Sequence, residues 1–131
     1  MSMDPAKLRY TKSHEWAHLE GDVVTVGITQ FAADQLTDVT YVELPHVGDH
    51  LFAGQEFGNI ETVKAVSDLY APADGEVVAV NEKLMEDPNF ITREPYAGGW
   101  LIKFRVDKPA TALEHLLTLE QYQRQIESEA H

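Results

Sequence analysis

Cysteine is missing altogether from the 131 residues, which excludes disulfide staples, thiolate metal sites and any cysteine nucleophile. Cations are scarce. Ten Lys plus Arg stand against 22 Asp plus Glu, a formal net charge of −12, so the summed field repels phosphate backbones and anionic headgroups. Nucleic acid and membrane surfaces are therefore poor partners, and proteins with basic patches are better ones. Long apolar runs are also absent: none approaches the roughly 18 residues of a membrane span. The opening MSMDPAKLRY carries no apolar signal core and no Arg- and Ser-rich presequence, which leads us to expect a cytoplasmic protein.

The length suits one domain, expected to be ordered over about residues 8–127 with frayed termini. Its punctuation is that of a mainly β protein. Trp16 to Leu19 and Val23 to Val26 flank Glu20-Gly21-Asp22 and predict a hairpin. Thr29 can cap a short helix near residues 29–36, on which Phe31, Ala32 and Gln35 fall at helical spacing. Strands are expected again at Val39–Leu44, Glu56–Val63, Val66 onward to Tyr70, and Glu76–Val80.

Gly48-Asp49 and Asp74-Gly75 mark similar turns on either side of Lys64, a sign of two related halves. From Met85 to Gly99, Pro88, Pro95 and Gly98-Gly99 are too many breakers for a regular element, and we expect an ordered surface loop before a strand over Trp100–Val106. Leu113, Leu116 and Leu117 form an apolar stripe, and Thr118 with Gln121 matches a capping box ahead of Tyr122 and Ile126. Two short C-terminal helices are predicted, with fraying from Glu127.

Several motifs invite a catalytic reading. His14-Glu15-Trp16-Ala17-His18 is literally H-E-x-x-H, which binds zinc only on a helix. Here it precedes the Gly21 turn, and in an extended strand residues four apart lie about 13 Å from each other, beyond shared ligation. A strand with an inward Trp16 is the expectation, and no metal is expected. His46 and His50 are separated by Gly48 and read as loop surface histidines. The sequence has no nucleophile elbow, phosphate loop or dinucleotide fingerprint, so a non-catalytic protein is expected.

One lysine stands out. Lys64 sits between apolar residues in Glu61-Thr62-Val63-Lys64-Ala65-Val66-Ser67-Asp68, with the next lysine at Lys83. Locally two readings stand: an edge charge that discourages strand addition, or an unbranched stem projecting an amine for acylation from a hairpin tip.

The run Glu61 to Tyr70 resembles the lipoylation site of the glycine cleavage system H-protein family, within the wider lipoyl and biotinyl carrier fold. Tyr10 to Trp16, Val26 to Thr29, Tyr41 to Pro45, Gly75 to Val78, Pro95-Tyr96 and Gly99 to Lys103 look like further segments of that family. The resemblance covers roughly residues 8–127. It implies a barrel-sandwich hybrid of short strands, with lipoic acid in amide linkage on Lys64 and Gly48 and Gly75 in the turns that frame it.

The function implied is that of a carrier. Its arm takes an aminomethyl group from glycine decarboxylase to the aminomethyltransferase and is reoxidised by dihydrolipoamide dehydrogenase. Lipoylating enzymes are the other implied partners, and a monomer is expected. Glu15 and Asp68 match family positions in the cleft that receives the loaded arm, and Gln35 stands there where many members have histidine. Thr62, Thr37, Glu94 and Ala97 also depart from the commoner family residues.

A biotinyl carrier would place methionines where Val63 and Ala65 stand, and a lipoyl domain of a 2-oxoacid dehydrogenase would more often have an acidic residue before the lysine. A relay role, in which the lipoyl group is passed to other enzymes, uses the same lysine and fold.

Overall fold

β-prone runs broken by turns fold the chain into short antiparallel strands. A computed structural model describes residues 4–129. After a single 3-10 turn at Pro5–Lys7, a six-stranded sheet runs in the order β1-β2-β3-β9-β8-β5, from β1 (Arg9–Tyr10), β2 (Glu15–Glu20), β3 (Val23–Ile28), β9 (Ile102–Arg105), β8 (Gly75–Val80) and β5 (His50–Leu51). A three-stranded sheet in the order β4-β6-β7 comprises β4 (Val39–Glu43), β6 (Glu56–Thr62) and β7 (Val66–Tyr70). Val24, Val26, Ile102 and Phe104 from the first sheet share one core with Val42, Ile60 and Leu69 from the second. The result is a lipoyl-domain-like sandwich, mainly β, whose sheets do not close into a barrel.

The predicted hairpin is present, with Glu20 paired to Val23 across a turn in which Gly21 takes a φ of +65°. The partner of Trp16 in register is Gly27, and a Cβ there would collide with the Trp16 indole. The indole N–H donates to the Pro95 carbonyl at 2.9 Å, which ties β2 to a distant loop. Helix α1 (Gln30–Gln35) follows, with the Thr29 side chain accepting from the Ala32 N–H as the expected cap.

Three expectations are corrected. The Met85–Gly99 stretch is not a plain surface loop: it overlaps two one-turn helices, α2 (Lys83–Glu86) and α3 (Phe90–Arg93). Pro88 falls between them, so the breakers separate the turns without preventing them. Leu84 and Ile91, both fully buried, pin the turns to the core, while the Asn81 amide donates to the carbonyls of Gly98 and Trp100 at 2.8 Å.

The first of the two C-terminal helices does not form. Leu117 instead makes an isolated bridge with Tyr10, exchanging two main-chain hydrogen bonds of 2.8 Å, and that extended pairing pulls the stripe out of helical register. Leu116 is nonetheless buried in the main core.

The single C-terminal helix, α4 (Leu119–Glu129), begins at the predicted capping box. Thr118 Oγ1 accepts from the Gln121 N–H, and Gln121 Oε1 accepts from the Thr118 N–H. Nor does α4 fray at Glu127. It is helical to Glu129, whose carboxylate lies 3.1 Å from His14 Nε2, and Gln125 donates to the Lys12 carbonyl at 2.9 Å. Ala130 and His131 lie outside the described residues. Beneath α4 a second cluster buries Leu8, Tyr10, Trp16 and Tyr122.

Candidate functional site

β6 and β7 are the two arms of a hairpin, paired from Glu56↔Tyr70 up to Glu61↔Val66, and its tip is Thr62 to Ala65. The turn is held by one side chain. Thr62 donates its N–H to the Ala65 carbonyl at 2.9 Å, and its hydroxyl accepts from the N–H groups of Lys64 at 3.2 Å and Ala65 at 3.1 Å. The N–H of Val63 reaches across to the Asp38 carbonyl at 3.2 Å, binding the tip to the chain entering β4.

The tip backbone is thus fixed while the Lys64 side chain is exposed and, among the described residues, makes no ion pair. Val63 and Val66 beside it are 65% and 58% exposed, an apolar collar around the amine. Lys64 is therefore a tip residue, not a charge along a sheet edge.

Gly48 and Gly75 occupy a different place. Gly48, with a φ of +99°, precedes β5, and Gly75 opens β8; their strands pair with each other in the six-stranded sheet through Leu51↔Gly75. A Cβ at Gly75 would strike the Arg105 carbonyl. Neither glycine belongs to the Lys64 turn.

Glu15, Gln35 and Asp68, from three separate parts of the chain, line one groove of about 220 Å³. Ser13 and Glu15 supply one wall, α1 and its C-cap the second with Gln35 and Leu36, and β7 the third with Asp68 and Leu69. Lys64 stands in the turn just before β7, and Asp68 is the third residue of that strand. Two larger clefts, of about 350 and 390 Å³, flank His115. Those clefts contain none of the three candidates.

Within the groove Glu15 and Asp68 are not equivalent. Asp68 is exposed, whereas Glu15 is 1% exposed. One Glu15 oxygen accepts from the hydroxyls of Thr11 at 2.5 Å and Ser13 at 2.6 Å, and the other accepts from the Tyr70 N–H at 3.3 Å. Burial pushes its carboxyl up to about 6, against the pull of the Ser13 and Thr11 hydroxyls and the Tyr70 N–H. A strand carboxylate thereby joins the two sheets, β2 to β7.

The H-E-x-x-H residues go separate ways. His14 precedes β2 and bonds Tyr122 at 2.7 Å, while His18 lies within β2 and approaches Glu20 at 3.9 Å. His46 is exposed in its loop as read, but His50 opens β5 and its ring meets Phe52 at 4.8 Å.

Sequence reasoning missed Thr11 and Ser13 as anchors of Glu15, and the pair Thr29 and Tyr122 behind the groove. The hydroxyl-rich run ahead of Glu15 was the available signal for the first pair; nothing local marks the second.

Fold and site together define a class: a lipoyl-domain-like protein with an exposed lysine at the tip of a hairpin. The sequence model of the glycine cleavage H-protein matches residues 8–129, and the chain belongs to that family. It is 50% identical over 129 residues to the glycine cleavage system H protein of Alcanivorax borkumensis, covering 98% of this chain and 100% of that one. It is 52% identical to a probable glycine cleavage system H protein of Natronomonas pharaonis, with 96% and 99% covered. A crystal structure of a glycine cleavage system H protein from Mycobacterium marinum superposes with a TM-score of 0.84 at 41% identity, covering 95% of this chain and 99% of that one. Among the described residues no helix is long and apolar enough to cross a membrane.

Proposed function

We propose that Lys64 is the attachment point of a lipoyl group and that the chain is the lipoyl carrier of the glycine cleavage system. The observation that carries this reading is the Thr62 to Ala65 turn, which fixes every backbone position around Lys64 while leaving its amine exposed. A modifying enzyme meets a preorganised, accessible lysine at a hairpin tip, and attachment there costs the fold no contact.

The residues present fit a long acyl arm. Its tether stands in the turn just before β7, whose Asp68 and Leu69 line a groove with further apolar lining from Ile28 and Leu36, and Asp68 offers an exposed carboxylate there. When bound, lipoate supplies a disulfide able to take the aminomethyl group of glycine from the decarboxylase to the aminomethyltransferase, with reoxidation by dihydrolipoamide dehydrogenase. The chain's own residues hold and shield. Asp68 is placed to accept charge-assisted hydrogen bonds from a cationic head, Gln35 adds a neutral donor and acceptor, and Glu15 fixes the wall between the sheets. The excess of acidic residues suits brief docking to enzymes with basic faces. The same reading takes the protein as a cytoplasmic monomer of one domain.

The test is the intact mass of chain expressed with lipoate and a lipoate ligase, with peptide mapping around Lys64. A lipoyl-sized gain confined to Lys64 and abolished by Lys64→Arg is expected. No gain under conditions that modify a control H protein would overturn the assignment.

A further inference from the structure

Tyr122 is the one buried residue of α4, and its ring lies flat on Tyr10 with centroids 4.6 Å apart and planes 5° from parallel. A phenylalanine would stack there equally well, so the hydroxyl has no packing reason to be present. It is nevertheless placed between two groups. Tyr122 Oη lies 2.7 Å from His14 Nδ1 and 2.6 Å from Thr29 Oγ1.

Those two partners are neighbours at the end of the β2–β3 ladder, at the corner from which two adjoining walls of the groove leave. His14 sits between Ser13 and Glu15 and lines the groove itself, with a φ of +72° that a non-glycine residue adopts rarely and only when its surroundings hold it. The restraints are visible: His14 donates its N–H to the Thr11 carbonyl at 3.2 Å, its carbonyl accepts from the Thr29 N–H at 3.0 Å, and its ring meets Phe31 at 4.9 Å. Thr29 caps α1, the wall that carries Gln35 and Leu36, with its hydroxyl accepting from the Ala32 N–H at 3.2 Å. Burial holds the Tyr122 phenol up at about 12, so the group remains a hydroxyl that can donate to one wall and accept from the other.

We propose that Tyr122 is a positioning residue whose hydroxyl braces the corner where the Glu15 wall and the α1 wall meet, making the C-terminal helix part of the groove's frame. Resting on the reading of the groove as the arm's resting place, the set of those two walls decides how closely a head group approaches Asp68.

The experiment uses the unmodified full chain, so its outcome is independent of whether Lys64 is lipoylated. Amide hydrogen exchange followed by NMR is compared between wild type and Tyr122→Phe. Loss of one net hydrogen bond at each wall is expected to speed exchange about fivefold at Glu15 on one side and at Ala32 and Ala33 on the other. Within α4, the amides of Arg124 and Gln125 keep their rates because the helix ladder is intact. Changes confined to α4, or to one wall only, would overturn the proposal.

A second variant covers misfolding of the first. His14→Asn keeps a residue that tolerates the left-handed backbone and leaves the bond between Tyr122 and Thr29 in place. It should speed exchange at Glu15 and spare Ala32 and Ala33; equal effects on both walls, or none, count against the assignment. Absence of a mass gain at Lys64 would refute the lipoyl reading without touching this result.

Discussion

Replacing Glu15 by Gln should remove a pH-dependent component of stability. In the fold its carboxyl titrates at about 6 against an ordinary value of 4.5, because burial disfavours the charge more than its three hydrogen bonds favour it. A folded value above the unfolded one means the native state holds the proton more tightly. The contribution is therefore complete below about 4.5 and is lost as pH rises through about 6. At about 1.4 kcal/mol per pH unit the difference is about 2 kcal/mol, with no discount for solvent because the side chain is 1% exposed.

Urea unfolding of wild type and Glu15→Gln at pH 4.5 and at pH 7.5 gives the measurement. Wild type should lose about 2 kcal/mol relative to the variant between the two, about 1 M in midpoint. The Gln side chain keeps an oxygen for Thr11 and Ser13, so the variant remains folded at both values. Two stability profiles that stay parallel across this window would refute the argument, by showing that Glu15 is solvated or that its hydrogen bonds outweigh burial.

Other substitutions probe separate steps. Gly27→Ala drives a methyl into the Trp16 indole and should cost about 2 kcal/mol or more, read as a lowered melting temperature with a changed tryptophan emission. Thr62→Ala removes the acceptor for two N–H groups at the Lys64 turn and should cost about 1 kcal/mol by denaturant unfolding, while Thr62→Ser restores it. Leu84→Ala opens a cavity under α2 and should cost about 3 kcal/mol by the same measurement; a loss below about 1 kcal/mol would mean that this turn does not anchor to the core.

What the sequence could reveal followed the range of the interactions involved. The β2–β3 hairpin, the Thr29 cap, the Thr118 capping box and the placement of Lys64 between two strand-like runs rest on neighbours a few residues apart, and each was legible. Failures arose where a distant partner outbid local preference. Leu113 to Leu117 has helical spacing, yet Tyr10, more than a hundred positions earlier, offers Leu117 two main-chain hydrogen bonds and an extended conformation. Pro88 and Pro95 forbid a long helix but not single turns, and burial of Leu84 and Ile91 rewards those turns in a way no window of sequence displays.

The groove shows the same division. Glu15, Gln35 and Asp68 were picked out by family resemblance, and their convergence is a property of the packed sheets, because spacings of 20 and 33 residues carry no geometric content of their own. The resemblance treats Glu15 and Asp68 alike, whereas in the fold Asp68 is exposed and Glu15 is buried and saturated with donors. Resemblance transfers a position but not its solvation, which is set by Thr11, Ser13 and the Tyr70 amide arriving from two sheets. Tyr122 lay beyond both methods. It is 108 residues from His14, its apolar spacing in α4 is satisfied by the ring alone, and only the folded molecule shows its hydroxyl between His14 and Thr29.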